Sequence, residues 1–404
     1  MDRIILHCDL NCFYASVELL SHPDLRDVPM AVCGDPTSRH GIILAKNEPA
    51  KKYGVQTAET IWQAKKKCPD LVLLPPHHAL YREYSRKVNA IYDEYTDLVE
   101  PFGIDESWLD ITHTIHLFGG DPKALADALR ERMKRELGLT LSVGISFNKV
   151  FAKLGSDYKK PDATTVISRE NWQEIVWPLP VGTLLYVGGA AQRLLKQYGV
   201  ETIGQLAACK PEMLESLMGK LGSQLYEYAN GLSQEPVRSR YDAEPVKSVG
   251  NGTTFPKNLK TRAEVQSGIA MLADSVATRL RHYGLYASGI QVTIRDPEFR
   301  DRSRQQQLAV PTHLIRDLTD HAMALVDQLW RPPSPIRALT VTAIHLVQDD
   351  QAYEQVDLFT AAAAPKKEKQ EKLEAAMDRI RGKYGTGAII FGAAQPEKEE
   401  DPLP

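Results

Sequence analysis

The run Arg3-Ile4-Ile5-Leu6-His7-Cys8-Asp9 passes directly into Leu10-Asn11-Cys12-Phe13-Tyr14-Ala15-Ser16-Val17-Glu18. Its first half is a short, nearly continuous apolar segment of strand length that ends in a carboxylate, the pattern of a buried strand. From Asn11 to Leu20 the period changes: Phe13, Val17 and Leu20 recur at helical spacing on one face. Working outward, Leu80, Tyr84, Val88, Ile91 and Tyr95 form a second helical stripe. Asp121-Pro122 supplies an N-cap and first-turn proline for a third helix, which carries Leu125, Leu129, Met133 and Leu137 and closes at Gly138. Ser107–Ile111 and Leu139–Ser146 read as two further strands. This order predicts an α+β layer with carboxylates at strand ends.

The 404 residues suggest two to four domains, and 43% hydrophobic with 25% charged residues is an ordinary globular balance. No apolar stretch approaches the roughly 20 residues of a membrane span. No basic-then-apolar leader precedes the first strand. The cysteines Cys8, Cys12, Cys33, Cys68 and Cys209 are odd in number and scattered, which fits a reducing, cytoplasmic setting. Cys8 and Cys12 lack a second ligand pair at zinc spacing and read as two half-buried thiols. Net charge is −3, so the chain is not a globally basic nucleic-acid binder. Residues 240–345 nevertheless carry 14 Lys/Arg against 10 Asp/Glu, while residues 346–404 carry 8 against 12. A basic module followed by an acidic tail is compatible with a polyanion partner and with a solvated face.

Three acids stand out: Asp9, and the adjacent pair in Gly103-Ile104-Asp105-Glu106-Ser107-Trp108-Leu109-Asp110. Carboxylates crowded in an apolar context repel one another and are costly to desolvate, so a bound cation is a natural neutraliser. Oxygen ligands of this kind suit Mg²⁺. Residue type alone favours a capped turn at Asp105-Glu106.

The segment His7 to Glu18 resembles the first motif of Y-family translesion DNA polymerases, and Ile104 to Asp110 resembles their second carboxylate motif. Ser142-Val143-Gly144-Ile145-Ser146, Asn148-Lys149-Val150-Phe151-Ala152-Lys153 and Asp157-Tyr158-Lys159-Lys160-Pro161 are similar, in order, to their third block. Weaker similarity runs through Lys247-Ser248-Val249-Gly250 and Ile336-Arg337-Ala338-Leu339, so it spans about residues 1–346, nearest to the bacterial polymerase IV group. The resemblance implies an α+β, multidomain right-hand polymerase. It places a ferredoxin-like palm at 1–10 and 80–170, small fingers at 11–79 and a helical, helix-hairpin-helix-like thumb at 171–232. A linker at 233–245 and an α/β little finger at 246–346 follow, then a tail. It further implies a low-fidelity, template-directed enzyme acting on primer-template DNA and dNTPs. Asp9, Asp105 and Glu106 would hold two Mg²⁺ ions, Glu106 as catalytic carboxylate, to activate a 3′-hydroxyl and stabilise leaving pyrophosphate. Tyr14 matches the steric gate, whose ring excludes a 2′-hydroxyl; Phe13 suits the helix core. Lys160 matches the lysine that contacts the triphosphate.

Departures concentrate in Gly41 to Val55, where the group commonly has a hydroxyl residue, Tyr and Arg at positions now held by Ala45, Glu48 and Lys51. The wording there is nearer the UmuC-like branch. Lys cannot make the bidentate phosphate fork of Arg, so Lys46 and Lys51 are expected to supply phosphate charge, with Glu48 facing solvent. Asn11 replaces a frequent Asp. The thumb turn Tyr186-Val187-Gly188 lacks one glycine. Arg295, Arg300, Arg302 and Arg304 fall on strand-like sequence, and Arg302 and Arg304, with Arg337, are expected to meet DNA. Gln355-Val356-Asp357-Leu358-Phe359 resembles the sliding-clamp pentapeptide, with Gln355, Leu358 and Phe359 as its anchors. An Ala/Lys/Glu helix with Leu373, Met377 and Ile380 and a short strand, Ala388–Phe391, should follow, and residues 395–404 read as disordered. The chain is expected to be a monomer free of membrane. Two other readings stay open: a non-catalytic polymerase-like accessory, and a nucleotidyl cyclase on a similar palm, which would lack the later modules.

Overall fold

The structure, a computed structural model, describes residues 2–36, 41–242, 245–351 and 364–390. The chain divides into two compact units, 1–243 and 244–404. Among the described residues no helix is long and apolar enough to cross a membrane, and all five cysteines are free thiols. Cys8 is fully buried and Cys12 partly exposed.

In the first unit the elements run β1 (Ile5–Leu10), α1 (Phe13–Ser21), β2 (Met30–Cys33), β3 (Ile43–Lys46), α2 (Glu48–Lys52), α3 (Ile61–Lys67), β4 (Val72–Leu74), α4 (His78–Tyr92), β5 (Val99–Pro101), β6 (Glu106–Asp110), α5 (Pro122–Leu137), β7 (Leu141–Ser146), α6 (Lys149–Tyr158) and β8 (Thr164–Ile167). The five-stranded sheet has the order β5-β6-β1-β7-β8, with β1 antiparallel to both neighbours. All six residues of β1 and of β7 are buried, as expected for central strands covered on both sides. α1, α4 and α5 pack Phe13, Val17, Tyr81, Val88, Leu125, Leu129 and Met133 against the sheet. α6 lies on it where Gly144 and Gly155 meet: a Cβ on Gly144 would stand 1.9 Å from the Ala152 carbonyl oxygen. A smaller sheet, β3-β2-β4, has its own core of Ala31, Cys33, Ile43 and Val55.

Short helices follow: α7 (Trp172–Val176), α8 (Gly189–Gln197), α9 (Ile203–Ala207), α10 (Pro211–Met218) and α11 (Lys220–Ala229). At the turn before α8, Tyr186 adopts φ +68° where a glycine would be at ease. The polar segment from Ser233 is not a free tether. Arg3 donates to the carbonyls of Gln234 and Glu235, Glu100 accepts from the Arg238 N–H, and Arg240 pairs with Asp93.

The second unit has β9 (Ser248–Leu259), α12 (Arg262–His282), β10 (Leu285–Arg295), β11 (Asp301–Thr312), α13 (Ile315–Leu329), β12 (Ile336–Gln348) and α14 (Ala364–Tyr384). Its antiparallel sheet runs β11-β10-β12-β9. α12 and α13 cover one face through Val265, Ile269, Val276, Leu318 and Val326 against Ile290, Val292, Leu339 and Val341. One expectation at the end of the chain is corrected. Ala388–Ile390 forms no strand. On α14 Met377 is buried, but Leu373 and Ile380 are exposed and the fully buried side chain is Glu374.

Candidate active site

Asp9 reaches the site because β1 carries it to the end of the sheet, register partner of Glu106 on β6 and of Ser142 on β7. Asp105 joins them from the residue before β6, where its carbonyl accepts the Leu10 N–H at 3.0 Å. The capped-turn reading of Asp105-Glu106 therefore gives way to three carboxyls at one sheet end. Burial pushes Asp9 up to about 6 in spite of Lys160. Burial and then the Glu106 charge push Asp105 up as well. Burial acts on Glu106 in the same sense, but His7 and Lys153 overcome it and hold its carboxyl well below the usual range.

Lysines from α6 and the turn after it supply the countercharge. Lys153 Nζ lies 2.5 Å from Glu106 Oε2, and Lys160 Nζ lies 2.5 Å from Asp9 and 2.6 Å from Asp157. Among the described residues no three His, Cys, Asp or Glu side chains converge as a metal site in this conformation. The donor chemistry nonetheless suits a hard divalent cation, and the two ammonium groups stand where its charge would be needed. Asn11 serves the frame: its amide donates to Ser142 Oγ at 2.9 Å and its Oδ1 accepts the Asp162 N–H at 2.8 Å, fixing the turn beside Lys160.

His7 and Lys153 were missed by sequence reasoning as site residues. His7 is fully buried, with Nδ1 2.8 Å from Ser156 Oγ and Nε2 3.3 Å from Glu106. Ser156 donates its own hydroxyl proton to the Lys153 carbonyl.

Asp9, Asp105 and Glu106 share a cavity of about 400 Å³ with Cys12, Tyr14, Lys46, Lys51, Thr57 and Lys160. Phe13 is in the core, whereas the Tyr14 ring stacks on Tyr81 at 4.1 Å and 14°. Tyr81 in turn donates its hydroxyl to buried Glu18. Lys46 donates to Thr57 at 2.9 Å. Glu48 does not simply face solvent: it accepts from Lys51 at 2.6 Å and from Cys12 Sγ at 3.2 Å.

In the second unit the expected arginine row is broken. Arg295 pairs with Asp301, and Arg300 with Asp296 and Glu298. Arg302 and Arg304 do share a face, but it is that of their register partners Ile294 and Val292, which carries the helices, at the edge strand. Arg337 stacks on exposed Phe299 at 4.6 Å. Gln355, Leu358 and Phe359 lie outside the described residues, as do 395–404.

The sequence model of the impB/mucB/samB family matches residues 8–157, and that of the impB/mucB/samB family C-terminal domain matches residues 246–358. The chain is 46% identical over 392 residues to DNA polymerase IV of Acetivibrio thermocellus, covering 97% of each. It is 38% identical over 402 residues to DNA polymerase IV 1 of Bacillus subtilis, covering 98% of this chain and 94% of that one. Among solved structures the Y-family DNA polymerase chimera Dbh-Dpo4(243-245)-Dbh has the same fold, with a TM-score of 0.75 at 21% identity, covering 86% of this chain and 100% of that one.

Proposed function

We propose the chemistry of this site from one premise: the chain belongs to the impB/mucB/samB family and is a Y-family DNA polymerase of the polymerase IV type, acting in translesion synthesis. Its substrates are DNA and deoxynucleoside triphosphates. The five-stranded sheet with its helices then serves as the palm, the small sheet as fingers, α7 to α11 as thumb and the second unit as little finger.

The observation that carries the detailed reading is the shared cavity, in which three acids, Tyr14 and three lysines meet. Asp9, Asp105 and Glu106 would hold two Mg²⁺ ions, which when bound lower the pKa of the primer hydroxyl and neutralise the leaving pyrophosphate. Lys160, Lys46 and Lys51 hold the triphosphate as point charges. Lys160 and Lys153 release the carboxylates as phosphate and cation arrive, so the same ammonium groups satisfy the site in both states. Tyr14, held by the Tyr81 stack, fills the space under the sugar where a 2′-hydroxyl would stand. The open face of the four-stranded sheet, with Gln291, Thr293, Ser303, Gln305, Thr340 and Thr342, suits duplex DNA, while Arg302 and Arg304, on the opposite face of the edge strand, would meet phosphate only past that edge, together with Arg337 beside Phe299. Gln355, Leu358 and Phe359 dock on the sliding clamp.

Primer extension on an undamaged template with Mg²⁺ and dNTPs tests this reading. The protein should extend the primer and Asp105→Ala/Glu106→Ala should not. Failure of both, with DNA binding intact, would turn the assignment to a non-catalytic accessory.

A further inference from the structure

Glu48 occupies a position where a carboxylate is out of place, next to the lysines that this reading gives to a tetra-anionic ligand. Its placement is fixed from below. Asn47 is buried and caps α2: its Oδ1 accepts the Ala50 and Met30 N–H groups at 3.1 and 3.0 Å, and its amide donates to Val28 at 2.8 Å. Glu48 is therefore locked as the first residue of α2, and Lys51 follows one turn later on the same side. The carboxylate takes the Lys51 ammonium at 2.6 Å and the Cys12 thiol at 3.2 Å. Lys51 and Cys12 line the nucleotide cavity; Glu48 does not. Lys46, by contrast, rests on the neutral Thr57 hydroxyl.

We propose that Glu48 is a built-in competitor of the incoming triphosphate, holding Lys51 until a bound dNTP displaces it and so setting the enzyme's nucleotide affinity. The inference rests on the polymerase reading of the cavity and adds to it a positioning residue that acts through Lys51. Burial would raise the Glu48 carboxyl, but Lys51, Cys12 and Lys46 together lower it, so it is ionised at neutral pH. The pair is also breakable. Lys51 and Glu48 side chains are 41% and 45% exposed, and such a pair holds by a fraction of the energy that two or three phosphates offer one lysine. A triphosphate must still displace the carboxylate, and that displacement weakens binding without altering the carboxylates that carry the reaction. Removing the charge at position 48 should therefore lower KM and leave kcat in place.

The experiment compares wild type, Glu48→Gln, Lys51→Ala and the double variant, with Glu48→Ala as a second neutral substitution. KM and kcat for dNTP are read by steady-state primer extension. Affinity for Mg²⁺-dNTP is read separately by calorimetry, which needs no turnover. Glu48→Gln and Glu48→Ala should each tighten dNTP by about two- to fivefold, with kcat within about twofold of wild type. Lys51→Ala should weaken dNTP, and in its background the Glu48 substitution should lose its effect. An unchanged or raised KM in both neutral variants, or the same tightening without Lys51, overturns the proposal. The two readings fail separately. A wild type that extends primers but shows no Glu48 effect removes this inference alone. A wild type that binds dNTP, shows the effect and extends nothing removes the polymerase reading alone.

Discussion

Asp9 lies almost wholly inside the protein, at 6% exposure, with a second and a third carboxyl beside it. Its pKa is raised from 3.8 to about 6, so between about pH 4 and pH 6 the folded protein keeps a proton that the unfolded chain has lost. Asp9's contribution to stability falls as pH rises through that window, because its ionisation is disfavoured only in the fold. A divalent cation reverses the sign by pairing the ionised acid. Mg²⁺ should therefore raise the melting temperature by at least about 2 °C more at pH 7.5 than at pH 5. Scans at both pH values with and without Mg²⁺ check this, and Asp9→Asn should abolish the pH-dependent increment. Tyr14 offers a second test. Tyr14→Ala opens the space that its ring fills beside Tyr81 and should raise rNTP over dNTP use by at least about tenfold in kcat/KM. The acids, Tyr14 and Lys160 were legible in the sequence because each lies in a contiguous motif. His7, Thr57 and the Glu48–Cys12 contact were not, since they depend on which neighbour a side chain selects across tens of residues.

Among the elements, α6 does most to bring the site together, because it delivers both Lys153 and the turn bearing Lys160. Its closeness to β7 depends on Gly144: a methyl group there would fall 1.9 Å from Ala152 O and 2.3 Å from Ser156 N. Gly144→Ala should force the helix outward, cost about 3 kcal/mol and lower the melting temperature by about 6–12 °C. It should also weaken dNTP binding through the displaced lysines. Circular dichroism melts and KM measurements test the two effects, and an unchanged melt would exclude the close approach. The strand and helix periods of β1, β7, α4 and α5 were readable because core contact enforces them on every turn. The arginines of β10 and β11 were not, because a strand's alternation says which residues share a face but only cross-strand register says which face that is. Arg302 and Arg304 do share one, as expected, while Arg295 lies opposite with Asp301.

At the scale of the whole chain, the acidic tail turns out to be partly structural. α14 packs in the second unit through charge as well as through buried Met377. Arg281 meets Glu374 at 2.5 Å and Asp378 at 2.6 Å, and Arg381 grips Asp274 at 2.7 Å. Glu374 has a further task. The first residue of α13 has no cap from its own segment, and Glu374 accepts the Ile315 N–H at 3.1 and 3.2 Å. A helix cap supplied from 59 residues away in sequence leaves no local signal. Glu374→Ala leaves Arg281 buried with one partner fewer and the α13 terminus unsatisfied, so it should cost about 2–4 kcal/mol. Glu368→Ala, which breaks only the exposed pair with Lys372, should change stability by less than about 0.5 kcal/mol. Hydrogen exchange localises the loss: Glu374→Ala should expose the amides at the start of α13 and along α14, with β1 and β7 as protected as in wild type. Equal protection at Ile315 in both variants would show that α14 contributes no cap and that the tail charge is only solvated.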